Sequence, residues 1–368
     1  MKKDLQLTSI HEWLPHAGRP LLISGPCSAE TESQTITTCK QLAATGKVHA
    51  LRAGIWKPRT RPGQFEGVGE IGLQWLIAAK KETGLPVTTE VATAAHVEAC
   101  LKAGVDILWV GARTTVNPFS VQEIADALKG VDIPVMVKNP VNPDLELWIG
   151  ALERLNKAGI TKMAAIHRGF SSFDKGPFRN APMWELAIEL KTRLPELDII
   201  CDPSHITGAR DLISFVSQKA LDLDMAGLMI ESHITPDAAW SDAKQQVTPT
   251  NLNKIIEGLI VRQASSDNKI FKDTLTTLRE KIDQLDDDIM HKLAERMKIS
   301  EKIGQYKKEN NVTILQVSRW EEIIHTRVAM ALAMGISENF SKEFLKLIHN
   351  ESIQIQTKVM NEKLEQTK

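Results

Sequence analysis

The sequence of 368 residues has few cysteines, no long hydrophobic run and no excess of charge of one sign. Its four cysteines form no CxxC pair, which argues against a disulfide framework and for a reducing compartment. No apolar segment approaches the roughly 18 residues that span a bilayer, and the first residues lack the hydrophobic segment of a signal peptide. Because 45 Lys and Arg nearly balance 46 Asp and Glu, we expect no binding to nucleic acid or membrane. These features predict a cytoplasmic protein whose partners are small molecules.

Proline and glycine are scarce in the last hundred residues. All 16 prolines lie at or before Pro249, and 19 of the 21 glycines lie before residue 265. The change falls in a polar stretch, 262–269, that is typical of a linker. We predict a first domain over residues 1–264, a linker over 265–272 and a helical second domain over 273–368.

Short apolar runs alternate with segments of helical length in the first domain. The eight runs begin at Leu21, His49, Val87, Ile107, Val135, Met163, Ile199 and Gly227. Such alternation indicates a parallel sheet buried on both faces, and eight repeats in about 260 residues favour a (β/α)8 TIM barrel of the α/β class. A doubly wound open sheet is the alternative, but the first strand-to-helix turn lacks a GxGxxG fingerprint.

Charged or reactive side chains follow each predicted strand. In chain order they are Cys27; Arg52, Lys57 and Arg59; Glu90; Arg113; Lys138; His167 and Arg168; Asp202 and His205; and Glu231, His233 and Asp242. Any one of them is more simply explained as a loop charge or a core thiol. Because a barrel directs all its strand ends to one mouth, their convergence predicts an active site there.

These side chains fall into two chemical sets. Six cations in one cleft predict substrates that are small and carry several negative charges: Arg52, Lys57, Arg59, Arg113, Lys138 and Arg168. One thiol, one imidazole and two carboxylates suit a borderline divalent ion such as Mn, Fe, Co or Zn: Cys27, His205, Glu231 and Asp242. With an open position, such an ion acts as a Lewis acid on a carbonyl oxygen.

The motifs in this domain resemble those of a known family. GPCSAE at 25–30, KPRT at 57–60, GAR at 111–113, VKNP at 137–140, HRG at 167–169, DPSH at 202–205, and IESH and SDAKQQ within 230–246 resemble type I-beta 3-deoxy-D-arabino-heptulosonate 7-phosphate (DAHP) synthase. The resemblance implies condensation of phosphoenolpyruvate with erythrose 4-phosphate and release of phosphate. It also implies one divalent metal ion, with manganese the first expectation.

The resemblance assigns roles by position. It implies that Cys27, His205, Glu231 and Asp242 bind the metal, and that Arg52, Lys57, Arg113, Lys138 and Arg168 bind phosphoenolpyruvate. Arg59 and Thr60 would bind the phosphate of the sugar, Glu90 would position the attacking water, and Lys57 would also donate a proton to the developing alkoxide. The related 3-deoxy-manno-octulosonate 8-phosphate synthases, which use arabinose 5-phosphate, are the alternative, and the KPRT loop argues against them.

The second domain has helical periodicity throughout. Its first apolar positions recur every three or four residues and predict one helix to about Lys308: Leu275, Leu278, Ile282, Leu285, Ile289 and Leu293. Further helices are predicted over 318–334 and 337–363. Such a long helix needs a partner surface, so we expect a homodimer through these helices, with contacts between barrels left open.

Polar residues interrupt the apolar pattern of these helices. Arg296 and Lys307 are eleven residues apart, which is three turns plus about 20°, so they share a face. Ser352 and Gln356 also share a face. Arg279 lies seventeen residues before Arg296 and about 100° away from that face, so it is expected to serve the pocket of a partner chain.

The segments from LREKIDQLDDD through SRW to NESIQIQ resemble the all-helical AroQ class of chorismate mutase. The resemblance implies rearrangement of chorismate to prephenate. Its substrate-binding and catalytic positions are Arg296, Arg319, Lys307, Gln316, Ser352, Gln356 and Arg279 of the second subunit. Lys307 and Gln356 would face the ether oxygen, where they stabilise charge without a nucleophile or a metal.

Together, the two resemblances predict a bifunctional enzyme of the shikimate pathway. Prephenate or chorismate bound to the helical domain is expected to inhibit the synthase. Because Gln316 and Trp320 replace acidic residues of some relatives, a non-catalytic, ligand-sensing second domain is the alternative.

Overall fold

A computed structural model of the chain describes residues 5–15, 18, 20–59, 63–173, 176–263 and 265–361. These residues pack as two units, the first ending at residue 264 and the second beginning at residue 265. Of the described helices, none is both long and apolar enough to cross a membrane.

Eight parallel strands form the centre of the first unit. They are β1 (Leu21–Gly25), β2 (Ala50–Arg52), β3 (Val87–Val91), β4 (Ile107–Val110), β5 (Val135–Lys138), β6 (Met163–His167), β7 (Asp198–Cys201) and β8 (Gly227–Glu231). Each strand pairs with the next, and β8 returns to β1 in a register that runs from Leu21 opposite Gly227 to Gly25 opposite Glu231. The sheet is therefore a closed barrel, which confirms the predicted (β/α)8 fold and excludes the doubly wound sheet.

Helices surround this barrel. They are α1 (Ile10–Trp13), α2 (Glu32–Ala43), α3 (Ile71–Thr83), α4 (Ala94–Ala103), α5 (Ala112–Thr115), α6 (Pro118–Ala127), α7 (Leu145–Lys157), α8 (Trp184–Arg193), α9 (Pro203–Thr207), α10 (Ile213–Asp222) and α11 (Pro249–Gly258). Side-chain oxygens of Thr31, Thr93 and Asp144 accept first-turn N–H groups, which fixes where α2, α4 and α7 begin.

The strands alternate between two apolar layers. In β4, Ile107 and Trp109 join the cluster inside the barrel, whereas Leu108 and Val110 join the cluster between strands and helices. This alternation follows from the two-residue period of a strand. Because Ala50 and Met136 also face inward, Arg52 and Lys138, two residues further on, face inward at the mouth.

Three helices form the second unit: α12 (Lys269–Glu309), α13 (Val317–Ala333) and α14 (Glu338–Asn361). The helix α12 begins inside the segment 265–272 that the sequence predicts to be a linker, because Asn268 caps it by accepting the N–H of Phe271 at 3.2 Å. Both α12 and α13 pack against α14. A Cβ at Gly304 would lie 3.1 Å from the Cα of Gln356, so this glycine allows α12 and α14 to approach closely.

One face of α12 is not covered by the other described helices of its unit. Leu278, Ile282, Leu285 and Ile289 are each about half exposed or more. Large apolar side chains in a continuous row are normally buried, and such exposed rows are typical of surfaces that bind another molecule.

Candidate active site

A buried aspartate organises one side of the barrel mouth. Asp202 follows β7 and has no exposed surface. Its Oδ2 lies 2.9 Å from Lys138 Nζ and 2.8 Å from His205 Nδ1. Burial opposes ionisation of Asp202, but His205 and Lys138 outweigh it and hold its pKa well below the usual range. Asp202 therefore fixes two predicted site residues, although the sequence analysis gave it no role.

Two predicted cations lie over the ring of Trp109. The guanidinium carbon of Arg52 is 4.9 Å from the ring centroid, and Lys138 Nζ is 5.6 Å from it. Both cations are almost fully buried. In the described part of the chain, Nε and Nη1 of Arg52 form no hydrogen bond. Buried donors without a partner are costly, so this pair of nitrogens suits an anionic ligand.

Arg168 extends the cationic surface. Burial lowers the pKa of its guanidinium to about 10, and Arg179 and Arg113 act in the same direction, whereas Asp202 opposes them. Arg168 stays charged at neutral pH. Since Arg113 and Arg179 are close enough to influence it, three guanidinium groups lie in one region, which favours binding of a phosphate.

Glu90 lies at the floor of this region. Its Oε2 accepts the indole N–H of Trp109 at 2.9 Å. A Cβ at residue 111 would lie 2.2 Å from Oε1 of Glu90, so a larger residue at the start of the GAR motif would displace this carboxylate.

Cys27 and Asp242 form the first pair of candidate metal ligands. Cys27 Sγ lies 3.2 Å from Asp242 Oδ2 and 2.7 Å from Lys57 Nζ. Burial, Glu231 and Asp242 raise the pKa of the Cys27 thiol to about 12, against the influence of Lys57 and Arg52. Burial also opposes ionisation of Asp242, but Lys57, His205 and Arg179 hold the pKa of this carboxyl far below its ordinary value.

His205 and Glu231 form the second pair. His205 Nε2 lies 3.7 Å from Glu231 Oε1, and Arg52 Nη2 lies 3.2 Å from the same oxygen. Burial lowers the pKa of His205, which keeps its imidazole neutral and able to bind a metal. Glu231 is fully buried, yet its Oε1 forms no hydrogen bond with any described residue.

The four side chains fit a divalent ion by their chemistry. They combine S, N and O donors, and the buried oxygen of Glu231 without a hydrogen bond is suited to a cation. As they stand, no three Cys, His, Asp or Glu side chains among the described residues are close enough together to form a metal centre. The ligands are therefore grouped in two pairs, with Lys57 Nζ 4.0 Å from Asp242 Oδ2.

Several strand-end residues have other surroundings. His167 faces the helices, where it packs against Trp148, Phe170 and Trp184. Burial lowers its pKa to about 3. Its position follows from strand alternation, because Ile166 faces inward. His233 Nε2 is 3.3 Å from Glu30 in a buried pair beside the barrel mouth.

The KPRT loop is described in part. Arg59 Nε donates to the carbonyl of Phe65 at 2.9 Å, and its Nη1 lies 4.0 Å from Asp242 Oδ2. Thr60, the other residue expected to bind the sugar phosphate, lies outside the described residues.

In the helical unit, four predicted residues lie at the contact of α12 with α14. Arg296 Nη1 donates to Ser352 Oγ at 2.5 Å. Lys307 Nζ donates to the carbonyl of Ile314. Gln356 is buried beside Gly304, and its Oε1 accepts no hydrogen bond from the described residues. The contact between the two helices thus contains the Arg296 cation and a buried Gln356 oxygen that has no hydrogen-bond donor among the described residues.

The remaining predicted residues are not gathered there. Arg279 is exposed, and seventeen residues separate it from Arg296 on the same continuous helix, about 25 Å along the axis. Arg319 is exposed and pairs with Glu322 at 2.7 Å, and Gln316 is exposed before α13. His349, which the sequence analysis did not select, stacks on Trp320 with ring centroids 4.0 Å apart.

Comparison with known proteins identifies both regions. The family model "DAHP synthetase I family" matches residues 16–265, more than half of the chain. The chain belongs to the DAHP synthetase I family. A second model, chorismate mutase type II, matches residues 278–357, so the helical unit carries the similarity that the sequence indicates.

Relatives within and near the DAHP synthetase I family share the barrel. Phospho-2-dehydro-3-deoxyheptonate aldolase of Thermotoga maritima is 31% identical over 226 residues, which cover 61% of this chain and 64% of the relative. The chain thus spans less than two thirds of that protein. 2-Dehydro-3-deoxyphosphooctonate aldolase of Polaromonas naphthalenivorans is 28% identical over 266 residues, 65% of this chain and 88% of the relative.

Solved structures agree with this family assignment. The DAHP synthase structure from Thermotoga maritima has 30% identity and a TM-score of 0.58, and it covers 65% of this chain and 67% of that one. A truncated form of the same Thermotoga enzyme has 28% identity and a TM-score of 0.55 and covers 84% of that chain.

Proposed function

We propose that the barrel condenses phosphoenolpyruvate with erythrose 4-phosphate to give DAHP and phosphate. The observation that carries this proposal is a buried cationic surface formed by Arg52, Lys138 and Arg168. This surface lies beside the two pairs of candidate metal ligands, to which Cys27 and Glu231 belong. Arg52 and Lys138 would bind the carboxylate of phosphoenolpyruvate, and Arg113 and Arg168 its phosphate. Arg59 and Thr60 would hold the phosphate of the sugar.

The reaction joins the enol carbon to the aldehyde carbon and then replaces the phosphate. As the new C–C bond forms, Lys57 would donate a proton to the alkoxide oxygen, since its ammonium already lies between Cys27 and Asp242. Glu90, fixed by Trp109, would orient the water that adds to the cationic carbon, after which phosphate leaves. Burial excludes bulk water and strengthens each of these charge interactions.

Cys27, His205, Glu231 and Asp242 would hold the metal ion, manganese before cobalt, iron or zinc. When bound, this ion supplies Lewis-acid polarisation of the aldehyde carbonyl. The neutral imidazole of His205 and the ionised carboxylates are already in the protonation states that ligands need, whereas Cys27 must lose its proton.

The test is consumption of phosphoenolpyruvate after chelation and again after addition of manganese. Activity that returns with manganese and erythrose 4-phosphate would support the proposal. Activity only with arabinose 5-phosphate would favour the second reaction, to which the 2-dehydro-3-deoxyphosphooctonate aldolases among the relatives point. No metal dependence with either sugar would contradict both.

We also propose that the helical unit converts chorismate to prephenate. Arg296, Lys307, Ser352 and Gln356 would bind one side of the substrate, with Gln356 and Lys307 at the ether oxygen. Arg319, Gln316 and Arg279 of a second copy would complete the pocket in a homodimer, which the uncovered face of α12 supports. Direct measurement of chorismate loss tests this, and binding of prephenate without turnover would favour a sensing role instead.

A regulatory link between the units completes the proposal. Prephenate or chorismate bound to the helical unit would inhibit the synthase, and the coupling would be reciprocal in binding free energy. The cysteines of the described chain are free, buried thiols, which supports a reducing, cytoplasmic location. Titration of synthase activity with prephenate, alongside direct binding, tests the link, since binding without inhibition would contradict it.

A further inference from the structure

A hydrogen-bonded bridge joins the carboxylates of Asp242 and Glu231. Arg179 Nη1 donates to Asp242 Oδ1 at 2.9 Å and to Gln245 Oε1 at 2.8 Å. Gln245 in turn donates through Nε2 to Glu231 Oε2 at 2.7 Å. Neither Arg179 nor Gln245 has a role in the reaction proposed above, although Gln245 lies in the SDAKQQ motif. Both residues lie beside the site without belonging to its ligands.

The bridge binds one oxygen of each carboxylate, and the other oxygen of each takes no part in the bridge. On Asp242 the remaining oxygen is Oδ2, which lies 3.2 Å from Cys27 Sγ. On Glu231 it is Oε1, which lies 3.7 Å from His205 Nε2 and is also in an ion pair with Arg52, whose Nη2 is 3.2 Å away. The two oxygens that remain are therefore those facing the other candidate ligands.

The backbone around Arg179 is firmly held. The N–H groups of Arg179 and Asn180 donate to the carbonyls of Thr207 and Ile206 at 3.2 and 3.1 Å, and Asn180 Nδ2 donates to the carbonyl of His205 at 2.6 Å. At Gly208, which has a φ of +64°, a Cβ would lie 2.5 Å from the Cβ of Arg179. The loop between β6 and α8 is thus fixed to α9, the helix that carries His205.

The other end of the bridge lies in a strained turn. Asp242 has a φ of +48°, in the left-handed region that aspartate tolerates better than most residues. Such a conformation persists only where the surroundings determine it. Gln245, which is almost fully buried, and Arg179 supply two of the hydrogen bonds that do so.

We propose that Arg179 and Gln245 are positioning residues, which orient Asp242 and Glu231 so that one oxygen of each faces the metal. The inference rests on the metal site assigned under the proposed function. Hydrogen-bonded partners of ligands fix their orientation, and their loss typically lowers metal affinity about 10- to 100-fold.

The test measures manganese affinity by competition with a chelator. Arg179→Met and Gln245→Leu keep side-chain volume and remove the hydrogen bonds, so each should weaken binding about 10- to 100-fold. Arg193→Met is the matched control, because Arg193 pairs with Glu146 and Glu189 on the same unit but contacts none of the ligands. It should bind manganese like the wild type.

Three further readouts separate positioning from general stability. The thermal midpoint of the chelated protein should change no more in Arg179→Met than in Arg193→Met. Because both residues act through one bridge, their effects should not add. The double variant Arg179→Met with Gln245→Leu should therefore have nearly the same manganese affinity as the single variant that binds manganese less tightly. The thiolate-to-cobalt absorption of cobalt-loaded protein should weaken in both single variants.

The outcomes are distinguishable. If the wild type binds manganese and both single variants bind it equally tightly, the bridge has no positioning role and the metal site stands. If the variants lose affinity only in proportion to a lower thermal midpoint without metal, the role is structural and the inference is overturned. If the wild type binds neither manganese nor cobalt, the metal site itself is wrong, and the bridge inference falls with it.

Discussion

The barrel and the helical unit build their sites in opposite ways. At the barrel mouth, Arg52, Lys138, Asp202 and Glu231 are buried, and each lies within 3.2 Å of an oppositely charged partner from the same unit. In the helical unit, Arg279, Arg319 and Gln316 are exposed. The predicted residues of the barrel therefore have charged partners within their own unit, whereas these three residues of the helical unit lie at its surface.

The difference follows from the two kinds of secondary structure. Strand alternation in a closed barrel directs inward residues of every strand to one mouth, so the site needs nothing else. A helix separates Arg279 from Arg296 by about 25 Å, which no local rearrangement can close. If both cations serve one pocket, as we propose, that pocket needs a second copy, and the predictions below test that contrast.

The largest expected effect comes from breaking a buried pair in the barrel. Lys138→Met removes the ammonium that lies 2.9 Å from the buried carboxylate of Asp202 and should lower the free energy of unfolding by about 3–5 kcal/mol. It should also abolish phosphoenolpyruvate consumption. Urea denaturation measures the first effect. Lys162→Met removes a surface pair with Asp132 and should cost about 1 kcal/mol or less. Equal losses in the two variants would contradict the buried pairing.

Mixing two inactive variants tests whether the helical site is shared. Arg279→Ala and Arg296→Ala should each lower chorismate turnover about 100- to 1,000-fold, since each removes a cation that binds a carboxylate. In a symmetric dimer that shares its sites, an equal mixture should regain about a quarter of the wild-type rate, because half the dimers are mixed and each of these has one intact site. If the mixture stays inactive while subunits exchange, Arg279 does not serve the partner.

Acid should weaken the barrel through His167. Burial lowers its pKa from 6.5 to about 3, so between these values the unfolded chain binds a proton that the folded barrel does not. Stability from this residue is therefore complete above pH 6.5 and falls by up to about 1.4 kcal/mol per pH unit below it, about 2 kcal/mol by pH 5. Urea denaturation at pH 7, 6 and 5 measures the slope.

His167→Phe is the control, because it keeps an aromatic ring beside Trp148 and Trp184 and has no proton to bind. Its stability should change less with pH than that of the wild type. Identical slopes in the two proteins would mean that His167 is protonated in the folded barrel. In the helical unit, His349 is only partly buried, so a matching substitution there should alter the slope less.

The barrel could be predicted closely because the sequence patterns that indicate its strands are local. Eight apolar runs predicted the strand number, and the positions of Arg52 and Lys138 after strands predicted that they lie at the mouth. A two-residue period, which the sequence analysis did not apply, would also have placed His167 outward. Arg179 could not be found this way, since it lies in an irregular loop whose position depends on contacts with α9. Long-range contacts of loops leave no periodic signal in a sequence.

In the helical unit, the sequence predicted the helices themselves better than the residues at which they begin and end. The apolar period gives α12, but Asn268 extends it to Lys269, because a single capping side chain decides where a helix begins. His349 was missed because an isolated histidine has many possible surroundings, and its stacking on Trp320 depends on how α13 packs on α14.

The substitution with the smallest expected effect on stability, Gly304→Ala, tests whether Gln356 serves helix packing or catalysis. Gly304→Ala gains about 0.8–1 kcal/mol of helix propensity, but its Cβ would lie 3.1 Å from Cα and Cγ of Gln356 and displace that residue by a few tenths of an ångström. Stability should stay within about 1 kcal/mol, whereas chorismate turnover should fall about 3- to 10-fold, because we propose that Gln356 faces the reacting oxygen.

Gly335→Ala supplies the opposite pattern. Gly335 has a φ of +79° and no atom within 4 Å of a built Cβ, so alanine should cost about 1–2 kcal/mol of strain without moving Gln356. Thermal denaturation and chorismate turnover of both variants separate the two effects. We expect Gly335→Ala to lose stability but keep its chorismate turnover, and Gly304→Ala to lose turnover but keep its stability. This pair of results would assign a catalytic role to Gln356. Unchanged turnover in both variants would mean that Gln356 is a packing residue and would favour a ligand-sensing role for the helical unit.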